Sequence, residues 1–217
     1  MTIAKTTLAT LDSAFKKLPL IAILRGVQTH EVKEIAWSLY EEGFRLIEVP
    51  LNSPDALASI AELSRCMPED ALIGAGTVLS SQSVIDVQQA GGRLIVMPHA
   101  DVQVIAAAKR AGMYCVPGAV TPTEIFAALQ AGADAIKLFP AELIAPHIVK
   151  AMRAVLPASL KLLPVGGVNP FNMKAYLAAG AAGFGLGGAL YAPGANAATV
   201  AANARAFVQS FQSIQST

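Results

Sequence analysis

A single pattern repeats eight times along the 217 residues: a short apolar run, a polar or Gly/Pro turn, then a helical stretch. The runs are Leu20–Leu24, Leu46–Val49, Leu72–Val78, Leu94–Met97, Tyr114–Pro117, Ala135–Phe139, Leu160–Val165 and Gly183–Leu186, with starts 20–26 residues apart. That interval holds one strand, one helix and two short loops. A short amphipathic segment around Leu11 to Lys17 precedes the first run and predicts an N-terminal helix. Eight strand–helix units predict an α/β chain, a single-domain (β/α)8 TIM barrel covering residues 1–217. A doubly wound open sheet is the alternative, and the lack of G-x-G-x-x-G after the first run argues against it.

Helix punctuation follows the same rhythm. Thr121-Pro122-Thr123-Glu124 supplies an N-cap, a proline at the first helical position and a capping-box glutamate. Ser53-Pro54 and Asn169-Pro170 repeat the cap-plus-proline device, and glycines at 43, 91, 112, 132 and 180 fall where helices should end. The last helix begins near Asn196 and carries Val200, Ala204, Phe207, Val208 and Phe211 on one face.

Composition matters because 54% of the residues are hydrophobic. Membrane insertion would need an apolar run of roughly 18 residues, and the Ala/Gly-rich stretch 175–202 is broken by Pro193, Gly194 and Asn196. A parallel sheet covered on both faces explains the same content without a membrane. The segment from Met1 to Leu18 carries Lys5 and then threonines, unlike a signal peptide, so a cytoplasmic protein is expected. Cys66 and Cys115 have neither disulfide-framework nor metal-type spacing. A net charge of +1 offers no basic stripe for nucleic acid.

In a barrel of this kind chemistry sits at the carboxyl ends of the strands, so charges preceding a strand belong to the opposite face. Arg45, Arg93 and Lys161 precede theirs and read as solvated structural residues. Three charges remain in or at the end of strands: Arg25 closing the first, Glu48 within the second and Lys137 within the sixth. A lysine inside an apolar strand is rare without a partner or a task. Burial favours its neutral amine, a nucleophile toward ketones. Lys137 could instead snorkel past the strand edge, and Glu48 could serve only to neutralise Lys137 or Arg25; together the three predict a buried constellation at the barrel mouth.

Thr77, in Gly74-Ala75-Gly76-Thr77, ends the third strand with a hydroxyl among glycines that let a ligand approach the backbone. The seventh and eighth strands end in Val165-Gly166-Gly167-Val168-Asn169-Pro170 and Gly185-Leu186-Gly187-Gly188. Glycine loops followed by helix starts on these two strands predict a phosphate cradle of backbone N–H groups and helix dipoles, although paired glycines also make plain tight turns. His30 and His147 fall at helix starts, and His99 follows the fourth strand as an accessory candidate. No H-x-x-x-H or strand-end cluster of His, Asp and Glu appears, so no metal and no cofactor is expected.

These residues carry a resemblance. Pro19-Leu20-Ile21-Ala22-Ile23-Leu24-Arg25-Gly26, Ile47-Glu48-Val49-Pro50-Leu51-Asn52-Ser53-Pro54, Ile73-Gly74-Ala75-Gly76-Thr77-Val78, Lys137-Leu138-Phe139-Pro140 and Val165-Gly166-Gly167-Val168 are ordered motifs within a match from about Leu18 to Phe207. The sequence resembles the class I 2-keto-3-deoxy-6-phospho-sugar-acid aldolases, small (β/α)8 enzymes that release pyruvate and glyceraldehyde 3-phosphate. The resemblance implies Lys137 as Schiff-base lysine, Glu48 as general acid/base, and Arg25 and Thr77 as ligands of the substrate near its pyruvyl carboxylate. It places Pro98 and Phe139 in the pyruvate pocket and gives the phosphate to Gly166, Gly167, Gly187 and Gly188.

The resemblance further implies a homotrimer acting on a phosphorylated keto-deoxy sugar acid; the charge balance and the short apolar runs predict no nucleic-acid or membrane partner. Asn52 stands where gluconate-type members have arginine, and Val165 where they have threonine, so the chain looks closer to the galactonate branch than to its C4-epimeric gluconate counterpart. Gly187-Gly188-Ala189 lacks the serine that usually contacts phosphate in the family. An isomerase or epimerase using Glu48 as base, and a non-catalytic phosphate-binding barrel, are the competing readings.

Overall fold

The computed structural model describes residues 10–215, so the reading of the extreme N-terminus as free of a signal segment falls largely outside it, on residues 1–9. Strands and helices alternate. The strands are β1 Leu20–Ile23, β2 Leu46–Pro50, β3 Leu72–Gly76, β4 Leu94–Val96, β5 Tyr114–Val116, β6 Gly118–Ala119, β7 Ile136–Leu138, β8 Leu162–Pro164 and β9 Phe184–Leu186. The helices are α1 Leu11–Lys17, α2 Thr29–Glu41, α3 Ala56–Cys66, α4 Ser81–Gln89, α5 Val102–Arg110, α6 Pro122–Gln130, α7 Pro146–Arg153, α8 Met173–Ala178 and α9 Ala197–Gln215, with a 3-10 turn at Ala141–Leu143. No helix among the described residues is long and apolar enough to cross a membrane.

Every strand pairing is parallel, six strands in the order β5-β4-β3-β2-β1-β9 and three in the order β6-β7-β8. The fifth predicted run therefore becomes two strands. Pro117 interrupts it because proline has no N–H for the ladder, while its carbonyl accepts from Lys137 N at 2.9 Å.

Alternation along the strands sorts the core into two clusters. Leu20, Ala22, Ile47, Val49, Ile73, Ala75, Ile95, Ile136, Leu138 and Leu162 pack outward under the helices. Ile21, Leu46, Leu72, Leu94, Val96, Val116, Ala135 and Leu163 form a smaller inner cluster, joined by Leu11, Ala14 and Phe15 of α1. The parallel sheet curls around that inner cluster. Because successive side chains point to opposite faces, the residues two beyond Leu46 and Ala135 also face inward. Those residues are Glu48 and Lys137.

Several local predictions hold, and others need correction. Thr121 and Glu124 cap α6 reciprocally with Pro122 in its first turn, and the glycines at 43, 91, 112, 132 and 180 all have positive φ. Ser53-Pro54 does not start α3, whose N-cap is Asp55 in the left-handed region. Instead the Ser53 hydroxyl accepts from Gly26 N at 2.9 Å and ties the loop after β2 to the loop after β1. Asn169-Pro170 does not start α8 either, because Asn169 Oδ1 accepts from Phe171 N and Asn172 N and closes a turn first. β3 stops at Gly76, short of the predicted Val78, where Thr77 turns to φ 54.

At the amino ends of the strands the charges are paired. Asp70 accepts from Lys17, Tyr40 and Arg45, and Arg45 lies 3.7 Å from the Tyr40 ring centroid. Arg45 is thus half-buried in a network rather than simply solvated.

Candidate active site

Among the described residues two charged side chains lie buried in the sheet. Glu48 is 1% exposed and Lys137 4% exposed. β2 delivers Glu48 opposite Ile23 on one side and Gly74 on the other, and β7 delivers Lys137 opposite Gly118 and Leu163. Small neighbours make room for them. A Cβ on Gly76 would stand under 3.0 Å from the Glu48 carboxylate carbon and both its oxygens, so the carboxylate rests directly on a glycine backbone.

Neither charge is cancelled by contact. Among the described residues no ion pair within 4.0 Å engages Lys137 or Glu48, and Glu48 Oε2 accepts no hydrogen bond. Lys137 Nζ lies 4.5 Å from the centroid of the Phe139 ring. Burial pushes the Glu48 carboxyl up to about 7 against the pull of Lys137 and Arg25. Burial also pushes Lys137 below its ordinary value, with Glu48 opposing and Arg25 reinforcing the shift. Burial thus biases the carboxyl toward its protonated form and the amine toward its nucleophilic form.

A cavity of ≈ 440 Å³ opens onto Lys137. Arg25, Lys137, Phe139, Gly166, Gly167, Gly187 and Gly188 line it, bringing seven sequence-predicted residues together. Glu48, Thr77 and Pro98 are not on its wall. Glu48 is buried away from that wall, Thr77 follows the glycine that carries the Glu48 carboxylate, and Pro98 is half-buried with its carbonyl against Gly118. Arg25 departs from the expected buried constellation. It is exposed, and its Nη1 donates to Asn52 Oδ1 at 2.8 Å. The strand ends before it, so its side chain reaches the mouth from the rim.

The glycine loops also differ from expectation. α8 begins only at Met173 and α9 only at Ala197, so neither helix starts directly after its glycine pair. After β9 the carbonyl of Gly187 accepts from Leu190 N and Tyr191 N, closing one turn, while the N–H groups of Gly188 and Ala189 donate to no described protein group. Like the N–H groups of Gly166, Gly167 and Val168, which also donate to no described protein group, they are open backbone donors at the cavity wall. His99 and His147 are exposed and do not line the cavity. His30 lines a larger surface groove of ≈ 630 Å³ along α2 and the start of α9, where every ionisable residue is exposed. Among the described residues no group of three or more His, Cys, Asp or Glu could hold a metal ion.

Comparison with known proteins decides the family. Residues 11–202 match the sequence profile of the KDPG and KHG aldolases. The chain belongs to this family. It is 44% identical over 196 residues to the probable 2-dehydro-3-deoxy-6-phosphogalactonate aldolase of Rhizobium meliloti (strain 1021), covering 90% of this chain and 92% of that one. It is 43% identical over 196 residues to the 2-dehydro-3-deoxy-6-phosphogalactonate aldolase of Escherichia coli (strain K12), covering 90% and 96%. A solved structure described as native KDPGal matches with a TM-score of 0.91 at 42% identity, over 93% of this chain and 98% of the other.

Within this aldolase-family site, one wall residue escaped the sequence reading. Glu142, on the 3-10 turn after β7, lines the cavity and lies against the left-handed pair Gly166 (φ 107) and Gly167 (φ 61). A glutamate after Phe139-Pro140-Ala141 carries no local signal of that contact. The proximity of Lys137 in the chain, five residues before it, is the one hint available.

Proposed function

We propose that this chain is a class I aldolase that cleaves 2-dehydro-3-deoxy-6-phosphogalactonate to pyruvate and D-glyceraldehyde 3-phosphate through a Schiff base on Lys137. The observation that carries the reading is a lysine 4% exposed, uncompensated by any contact ion pair, on the wall of the cavity and electrostatically coupled to a carboxyl that burial raises to about 7. The neutral amine attacks the C2 ketone, and the carbinolamine loses water to leave an iminium. Glu48 then takes the proton of the C4 hydroxyl. The C3–C4 bond breaks, its electrons pass into the iminium as an enamine, and the aldehyde departs. Protonation of the enamine at C3 and hydrolysis release pyruvate and the free amine. The iminium is the electron sink, so the bond-breaking step calls for no metal.

Arg25, oriented by Asn52, and Thr77 hold the pyruvyl carboxylate, Pro98 and Phe139 shape the pyruvate pocket, and the loops bearing Gly166, Gly167, Gly187 and Gly188 form the phosphate end. Val165 on the cavity wall offers no hydroxyl to a sugar, in keeping with the galactonate branch. The same proposal takes the nine strands as a closed (β/α)8 barrel in one domain. Its support is the parallel bridge from Val165 to Gly185, the bond from Ala182 N to Leu162 O at 2.9 Å, and the single residue, Pro117, between β5 and β6. Homotrimeric assembly rests on the family resemblance, and a cytoplasmic location on the reading of the sequence alone.

Borohydride reduction in the presence of pyruvate, followed by peptide mass mapping with and without a chelator, tests the chemistry. A reduced pyruvyl adduct on Lys137, indifferent to chelator, is expected, together with faster cleavage of the galactonate than of the gluconate epimer. Folded protein that leaves Lys137 unmodified would refute the Schiff-base mechanism, and a preference for the gluconate epimer would move the substrate assignment to the other branch.

A further inference from the structure

The loop after β9 presents its backbone donors without help from side chains of its own. Gly187, Gly188 and Ala189 carry no hydroxyl and no charge, and a Cβ on Gly187 or Gly188 would meet nothing within 4 Å, so no neighbour packs there to hold the loop. Its orientation comes from the two residues that follow. Leu190 and Tyr191 are both buried, and the Leu190 carbonyl accepts from Asn203 Nδ2 of α9 at 3.1 Å. The Tyr191 hydroxyl donates to Glu31 Oε1 at 2.9 Å, and the same oxygen accepts from Gln28 N at 3.0 Å where α2 begins. Burial, reinforced by the Glu31 carboxylate, raises the Tyr191 phenol well above its ordinary value, so it stays a donor at neutral pH.

The Tyr191–Glu31 bond fastens the β9 loop to the segment that follows Arg25. Gly26, the next residue, has φ 80, and a Cβ there would lie 2.8 Å from Pro193 Cγ, so the loops after β1 and β9 also touch directly. The loop after β8 is held separately, by Asn172 Nδ2 donating to the Gly167 carbonyl at 2.9 Å. In the aldolase reading Arg25 takes the substrate carboxylate, and the loops after β8 and β9 take its phosphate. The distance between the carboxylate grip and the β9 part of the phosphate grip is then set by how the β1 and β9 loops are joined.

Resting on the aldolase reading, we infer that Tyr191, through Glu31, is a positioning residue that holds the N–H groups of Gly188 and Ala189 at the span from Arg25 required by a substrate with an anion at each end. Tyr191 is 2% exposed and does not line the cavity, so it acts through the loop and not by touching substrate. Its bond is to a carboxylate, which makes it stronger than a neutral one. A loop with no hydroxyl of its own depends on such preorganisation for its grip on phosphate.

Condensation of pyruvate with D-glyceraldehyde 3-phosphate and with D-glyceraldehyde separates the phosphate grip from the chemistry. Tyr191→Phe keeps the buried ring and removes the hydroxyl. It should raise KM for the phosphorylated aldehyde by about 5- to 20-fold with kcat within about twofold, and leave kcat/KM for D-glyceraldehyde within about twofold of wild type. Glu31→Gln, which keeps an acceptor oxygen for Tyr191 and Gln28 but not the charge, should raise the same KM by only about 2- to 5-fold. Borohydride trapping of pyruvate on Lys137 reports folding and imine formation in each variant, and if Tyr191→Phe does not fold, Glu31→Gln decides the comparison. An unchanged KM for the phosphorylated aldehyde, an equal loss on both aldehydes, or a wild-type protein indifferent to the phosphate overturns the role assigned to Tyr191. A wild-type protein that forms no pyruvate adduct, or that condenses neither aldehyde, instead defeats the aldolase reading, and this inference with it.

Discussion

Gly76→Ala is the sharpest single test of how the carboxylate is held. The new Cβ would lie under 3.0 Å from three atoms of the Glu48 carboxylate, so one of the two must move. Gly76 is paired opposite Pro50 in β3, and Glu48 is 1% exposed within β2, so neither strand can shift without disturbing the ladder. The side chain of Glu48 gives way. Overpacking of this kind costs roughly 1–3 kcal/mol of stability. Displacing a proton-transfer group by about 1 Å costs roughly 100-fold in rate. Steady-state cleavage, followed by reduction of the released pyruvate with lactate dehydrogenase, measures the second effect, and urea unfolding the first. Lys137 stands on β7, which does not pair with β3, so borohydride trapping should still label it, more slowly. A Gly76→Ala protein within about twofold of wild-type kcat would show that the carboxylate position is not what the reaction depends on.

Three further outcomes follow from the same geometry. Glu48→Gln should lower cleavage by roughly 10²–10⁴-fold. Because burial raises the folded carboxyl from 4.5 to about 7, wild-type stability falls as pH rises through that window, so Glu48→Gln should be more stable by up to about 3 kcal/mol at pH 8 and equal at pH 4 by urea unfolding. Asn52→Ala releases the Arg25 guanidinium from its 2.8 Å hydrogen bond, and should raise KM by about 3- to 10-fold with kcat nearly unchanged in the coupled assay. Burial raises the Asp70 carboxyl, but bonds from Lys17, Tyr40 and Arg45 outweigh it and hold the group at about 2 against an ordinary 3.8. The stability this lends is present above about pH 4 and lost as pH falls through 2; Asp70→Asn should remove about 1–2 kcal/mol of it after solvent screening, read as a flattened acid limb in urea midpoints.

The elements that sequence reasoning located are those governed by local rules. Leu11–Lys17, the capping box at Thr121 and the left-handed glycines at helix ends depend on neighbours within a few residues. Glu48 and Lys137 were legible because a charge inside an apolar run conflicts with its surroundings, and period-two alternation then says which face it takes. What local rules do not contain was missed. Ser53 looks like a helix cap, yet its hydroxyl is claimed by the amide of Gly26, 27 residues away. Pro117 looks like the end of a strand, yet its carbonyl pairs with Lys137 while the chain resumes as β6. Arg25 looked as buried as its partners, but it stands one residue past Leu24, the last fully buried position of that run. Glu142 reaches its place only because two glycines of another loop have no side chains there.

Depth along the strand is what sets the chemistry of the pair. Glu48 and Lys137 stand one alternation beyond Leu46 and Ala135, members of the inner cluster that α1 closes with Leu11 and Phe15. One alternation deeper, either charge would replace a residue of that cluster, out of substrate's reach and with a desolvation penalty of several kcal/mol that no partner offsets. One alternation farther out the strands reach the rim, where Phe139 is half-buried and Arg25, at the corresponding step past β1, is exposed and lacks the burial that raises a carboxyl. Only the intermediate layer is both dry enough to shift the two groups toward each other's proton affinity and open enough, through the cavity above, to admit a ketone. The instability expected of wild-type protein relative to Glu48→Gln above pH 7 is therefore the same desolvation that makes the carboxyl a base poised near neutral pH, and a substitution that relieves one should weaken the other.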